Sequence, residues 1–143
     1  MKSKIQIRKG TIEECMSLAD RIPEFYNNYP KEEYLKRLND TYCSIWIAEC
    51  TDNNLAVGFK LGYEKEKYFY SWLGGVIPEY RNRGVAKLLA RMQEIDCLQN
   101  HIQRIRFKTY NRFREMLIFG LKNGFEIIDF ERKTGKITLE KIL

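Results

Sequence analysis

YFYSWLGGVIPEYRNRGVAKLLARM, residues Tyr68 to Met92, begins as an aromatic strand, passes Gly74, Gly75 and Pro78, and runs into an amphipathic helix. Val85, Leu88, Leu89, Met92 and Ile95 recur at helical spacing, which sets the helix start near Arg83 or Gly84. The first amides of a helix have no partner within it. They lie at the positive end of the helix dipole, so a tight turn here presents donors suited to a phosphate. Gly84 removes the Cβ that would keep a ligand away from the backbone. Arg81 and Arg83 add charge beside those donors. The stretch reads as a phosphate-binding turn between a strand and a helix.

Val76-x-Pro78-Glu79-Tyr80-Arg81-x-Arg83-Gly84-Val85-Ala86 closely resembles the acetyl-CoA signature of the GNAT superfamily of N-acetyltransferases. Every fixed position of V-x-P-x-[YF]-[RQ]-x-x-G-x-[GA] is matched, and no G-K-[ST] follows the glycines as it would in a P-loop. The resemblance implies an α/β (α+β) fold: a mixed, mostly antiparallel central sheet flanked by helices. In that fold the strands ending at Val76 and Tyr110 splay apart to form the acetyl-CoA cleft. It further implies that Gly74, Gly75 and Val76 bind the pantetheine arm through their backbone. Arg81, Asn82, Arg83, Gly84, Val85 and Ala86 would cradle the phosphates, with Asn111 as a further cofactor contact.

The remaining pattern supplies the elements for such a sheet. Ile5 and Ile7 alternate with polar residues over Lys4–Lys9, and Thr11 with Glu14 forms a capping box for a helix reaching Ile22. Pro23 ends or kinks that helix, and Glu24–Pro30 is an aromatic, amide-rich loop. A short helix follows over Lys31–Leu38, then strands over Cys43–Cys50 and Leu55–Tyr63, the latter joined by a charged hairpin to the aromatic strand. After the long helix, Arg104–Tyr110 alternates as a strand, and a helix from about Arg112 to Lys122 stops at Asn123-Gly124. Phe125–Glu131 and Lys136–Leu143 form a terminal hairpin. The predicted order is β-α-α-β-β-β-α-β-α-β-β, a mixed sheet covered by helices.

With 143 residues, the chain reads as one domain spanning 1–143. No apolar run is long enough to span a membrane and no signal-like block opens the chain, so the expectation is a cytoplasmic protein. Cys15, Cys43, Cys50 and Cys97 form no CxxC pair, and His101 is the only histidine, so no zinc spacing exists. The cysteines are expected to be free thiols. A net charge of +6 calls for a polyanionic partner. Coenzyme A is one. Nucleic acid is the disfavoured rival, for which Arg104, Arg106, Lys108, Tyr110, Arg112 and Arg114 are the candidate surface.

The resemblance implies acetyl transfer from acetyl-CoA to a small-molecule or peptide amine, by direct attack. Some relatives carry a glutamate base six residues before the signature valine, and here that position is Tyr70. Glu24 is the first substitute and Glu66 the second, and Tyr26 and Tyr29 with Glu24 would make a pocket for a cationic amine. His101 reads as a surface cap. The tyrosine acid of many relatives falls at Gly120, leaving Tyr110 as a weak alternative. A degenerate domain that binds CoA without transfer is therefore a second reading. Homodimers are common in the family, and the terminal hairpin hints at one.

Overall fold

The computed structural model describes residues 4–143. Its elements follow the predicted order: β1 (Ile5–Lys9), α1 (Ile12–Ala19), α2 (Lys31–Leu38), β2 (Cys43–Cys50), β3 (Leu55–Lys65), β4 (Tyr68–Val76), α3 (Val85–Gln99), β5 (Arg104–Tyr110), α4 (Arg114–Lys122), β6 (Glu126–Glu131) and β7 (Lys136–Ile142). The strands make one sheet in the order β1-β2-β3-β4-β5-β7-β6. Every neighbouring pair is antiparallel except β4 and β5, which run parallel.

That parallel pairing is short. Only Phe69↔Ile105 and Tyr70↔Arg106 are matched. Immediately beyond, the register between β3 and β4 shifts, with Leu61 opposite Leu73 and Gly62 opposite Ser71, so Trp72 is an extra residue. A bulge bends its strand and increases the local twist. It turns β4 away from β5, and the two strands diverge toward Val76 and Tyr110. The splay expected from the resemblance is present.

The sheet is covered on both faces. Ile22 and Phe25 close over one face at Gly75, where a Cβ would lie 2.9 Å from Ile22 Cδ1 and 3.1 Å from Phe25 Cε2. On the other face Leu89 of α3 reaches Gly58. Ile105 packs with Cys97 of α3, and Phe107 of the same strand with Met116 and Leu117 of α4. Alternate residues share a face, so α3 and α4 cover one side of β5 while Arg106 and Lys108 look out from the other.

Three local expectations are corrected. The capping box at Thr11 and Glu14 forms, but α1 stops at Ala19. Ile22 is extended (φ −113°, ψ 113°) and leads a 3-10 turn over Pro23–Phe25, because proline disfavours the helical conformation in the residue before it. The helix expected from Arg112 begins at Arg114. On α3 the buried stripe is Val85, Leu89, Ala90, Gln93, Asp96 and Cys97, whereas Leu88 and Ile95 are exposed. The Tyr42 hydroxyl donates to the Asp96 carboxylate and accepts from Asn100. A satisfied carboxylate can be buried, and this one turns the helix away from its purely apolar face.

Gly62 lies directly beside the bulge. A Cβ there would meet the Tyr70 carbonyl and the Phe69 ring. Gly62→Ala is expected to destabilise the fold by about 1–3 kcal/mol, read as a lower urea midpoint at unchanged m-value.

Candidate active site

The turn after β4 is built from short constraints. Pro78–Tyr80 forms a 3-10 turn, Asn82 takes φ 61° and Gly84 φ 79°, and α3 starts at Val85. Gly84 supplies no side-chain cap, and no acidic residue occupies the first turn of α3. The first helical bond runs from the Leu88 N–H to the Gly84 carbonyl, so the amides of Val85, Ala86 and Lys87 have no helical partner. Nothing lies within 4 Å of where a Gly84 Cβ would stand. The helix end is open, positive and unblocked.

Arg81 and Arg83 differ in role. Arg81 Nε donates to the Val76 carbonyl at 3.1 Å and Nη2 donates to Glu24 Oε1 at 2.8 Å. It ties the end of β4 to the 3-10 turn after α1. The Arg83 guanidinium lies 4.9 Å over the Tyr80 ring and is the free charge of the pair, since no ion-pair partner is recorded for it among the described residues. Gly74, Gly75 and Val76 follow the last β4–β5 rung, so their strand edge borders the open wedge. Across it, the Asn111 N–H donates to the Gly135 carbonyl at 3.1 Å, holding the end of β5 to the β6–β7 turn. The turn and the Gly74–Val76 edge thus follow one strand of the wedge, and Asn111 follows the other.

The candidate catalytic groups are scattered. Glu24 accepts from Arg81, and that guanidinium holds its carboxyl below the ordinary carboxylate range. Tyr26 is 93% exposed, while Tyr29 packs on Trp72 with ring centroids 5.1 Å apart. The three do not combine into a cationic-amine pocket. A cation of the protein already fills that position: Arg37 lies 4.4 Å over Trp72 and 5.3 Å over Tyr29, and donates to Glu33 at 2.7 Å and to the Tyr63 hydroxyl at 3.2 Å. Glu66 stands at the β3–β4 hairpin, the end of the sheet away from the divergence. Thr109 is buried toward α4, so Tyr110 shares the open face with Lys108; its ring meets Phe113, with Arg112 at 4.7 Å.

The Arg37–Trp72 stack was not predicted, because the bulge that brings Trp72 to it leaves no mark in strand alternation. Cys15 and Cys97 hold no poised thiolate. Both are buried, which pushes their thiols up to about 12.

The family model for the acetyltransferase (GNAT) family matches residues 12–117, nearly three quarters of the chain. The chain belongs to the GNAT family. Among curated proteins, none matches it in sequence. Among solved structures it is similar to the PaiA N-acetyltransferase of Thermoplasma acidophilum in complex with coenzyme A (19% identity, TM-score 0.77, 98% of this chain and 99% of that one). A GNAT acetyltransferase of Staphylococcus aureus Mu50 superposes with TM-score 0.80 at 16% identity, over 98% of this chain and 99% of that one. A GNAT acetyltransferase of Elizabethkingia anophelis with acetyl-CoA bound gives 0.73 at 18%, over 97% and 98%. At such identities the likeness is one of fold.

Two positions depart from the GNAT pattern for physical reasons visible here. The tyrosine position falls at Gly120, where a Cβ would lie 2.7 Å from Phe107 Cζ, so a side chain there requires the Phe107 ring to shift. The glutamate position is Tyr70, whose phenol burial pushes up to about 12, keeping it protonated at neutral pH.

Gly84→Val would place a branched side chain over the open amides and force a β-branched residue to positive φ. Acetyl-CoA affinity is expected to fall about tenfold or more, at least ~1.4 kcal/mol, measured by calorimetry on a variant shown to be folded.

Proposed function

We propose that this GNAT domain transfers the acetyl group of acetyl-CoA to an amine by direct attack. The observation that carries the reading is the uncapped start of α3, opened by Gly84, at the mouth of the wedge between β4 and β5. The residues present suit the cosubstrate: open amides and Arg83 for its phosphates, and an unpaired strand edge at Gly74–Val76 for its amide-bearing arm. Relatives of the same fold are solved with coenzyme A and with acetyl-CoA.

When bound, acetyl-CoA supplies an activated acyl thioester. The amine forms a C–N bond to the acetyl carbon as the C–S bond breaks, the electron pair leaves on sulfur and the amine's proton passes to water. Glu24 serves this chemistry by holding Arg81, which fixes the Val76 end of the strand. No side chain replaces the missing phenol. A leaving thiol with a pKa near 8.5, taking cysteine as the guide, departs as thiolate at neutral pH. The buried thiols of Cys15 and Cys97, pushed up to about 12, give no acyl-cysteine route.

The rival nucleic-acid surface is partly neutralised: Arg104 and Arg106 both pair with Glu140, at 2.9 and 2.7 Å. The degenerate reading draws on Tyr70 and Gly120 and is separated by turnover. No helix among the described residues is long and apolar enough to cross a membrane, and four unpaired cysteines suit the reducing cytoplasm. A homodimer would use the outer strand β6, which exposes Ile127, Ile128 and Phe130.

Thiol release from acetyl-CoA should depend on added amine, with no acetylation of the enzyme by mass spectrometry in its absence. CoA binding without amine-dependent release across a broad panel would leave only the degenerate reading. Tyr110→Phe should lower kcat by far less than a hundredfold, where general acid catalysis typically contributes about 10²–10⁴-fold.

A further inference from the structure

Beside the apex of the wedge, on the face that α3 and α4 leave open, lies a cleft of about 400 Å³. Its floor is Tyr68 and Tyr70, and Tyr70 is the last residue of β4 still paired with β5. Lys65, Arg106 and Lys108 line it, with Thr138, Ile128 and one carboxylate, Asp129. The position a glutamate occupies in some relatives is thus a phenol with Lys108 over its ring, in a cleft that Lys65 and Arg106 also line. Arg106 stacks 4.2 Å over Tyr68 and is neutralised by Glu140. Lys108 lies 5.6 Å over the Tyr70 ring, and neither it nor Lys65 has an ion-pair partner recorded among the described residues.

The cations also act on one another. The Lys108 ammonium is held below its ordinary proton affinity by desolvation first, then by Lys136, Lys65 and Arg37, with Asp129 alone opposing. A surface of this sign repels a bare cationic amine. It attracts a molecule that brings its own negative charge, and charge-assisted bonds to lysine then set its orientation.

We propose that the acceptor is an amine carrying a carboxylate or phosphate, its anion seated on Lys108 and Lys65 over the Tyr68–Tyr70 floor. The class rests on the acetyl-transfer reading above. It also accounts for the missing base. An amine of pKa near 10.4 is neutral in only about one molecule in a few thousand at neutral pH. Neighbouring positive charges favour the neutral form. The anion delivers the acceptor against that field, and the field then favours loss of the ammonium proton to water.

The test is calorimetric titration of the CoA-saturated protein with O-phosphoethanolamine, β-alanine, ethanolamine and spermidine. O-Phosphoethanolamine or β-alanine should bind at least about tenfold tighter than ethanolamine and spermidine, as expected for a hydrogen bond to a charged group. Lys108→Ala should abolish most of that preference, Lys65→Ala should reduce it, and Lys108→Arg should retain it. Lys108 is an exposed strand residue, and thermal melting confirms that each variant is folded. Equal or tighter binding of the cationic amines, no binding of either anionic amine, or a preference untouched in folded Lys108→Ala would overturn the assignment. Titration of the parent with acetyl-CoA is run alongside: its failure rejects the acetyl-transfer reading, and the anion preference is then read on the protein without CoA.

Discussion

The early parting of β4 from β5 is the constraint on which the rest of the molecule depends. Two parallel rungs hold the halves of the sheet together, and the extra residue at Trp72 ends them. Unpaired backbone groups in a sheet interior are costly unless something satisfies them. The fold leaves the β5-facing edge of β4 at Gly74–Val76 without a strand partner, with the Val76 carbonyl taken by Arg81, and the same strand leads into the start of α3. Wedge and phosphate turn are one feature, because the strand that bends away is the strand that feeds the helix.

Ties at the periphery keep the wedge in shape. Arg81 joins the Val76 carbonyl to Glu24, so the end of β4 and the turn after α1 are tied together. Arg37 stacks on Trp72 while bonded to Glu33 and Tyr63, filling the space behind the bulge with a satisfied cation. Across the opening Asn111 is fastened to Gly135. The positive charge of the chain is therefore not diffuse. Part is neutralised in structural pairs, part stands beside the start of α3 through Arg83, and part lines the Tyr68–Tyr70 cleft through Lys65 and Lys108.

Much of this is legible in the sequence. Element order, the helix start at Gly84 and the Thr11–Glu14 cap follow from spacing and capping chemistry, which act locally. The departures arise where tertiary contacts override local pattern. Burial of Asp96 depends on Tyr42, more than fifty residues away in sequence, so no helical period could reveal it. The same holds for Glu24: its proximity to Tyr26 and Tyr29 in sequence suggests an acceptor pocket, yet Arg81, fifty-seven residues away along the chain, engages its carboxylate. Lys108 read as the polar face of a strand, and only the folding of β4 beside it gives its ammonium the company of Tyr70.

The central claim is that coenzyme A sits with its phosphates on the start of α3 and its arm along the free edge of β4. Backbone amide spectra recorded during a titration with coenzyme A test it most directly. The account predicts that the largest shifts fall on Gly84, Val85 and Ala86, with a second set on Gly74, Gly75 and Val76. Shifts confined to the basic strand from Arg104 to Arg114, with the α3 amides unmoved at saturation, would contradict it.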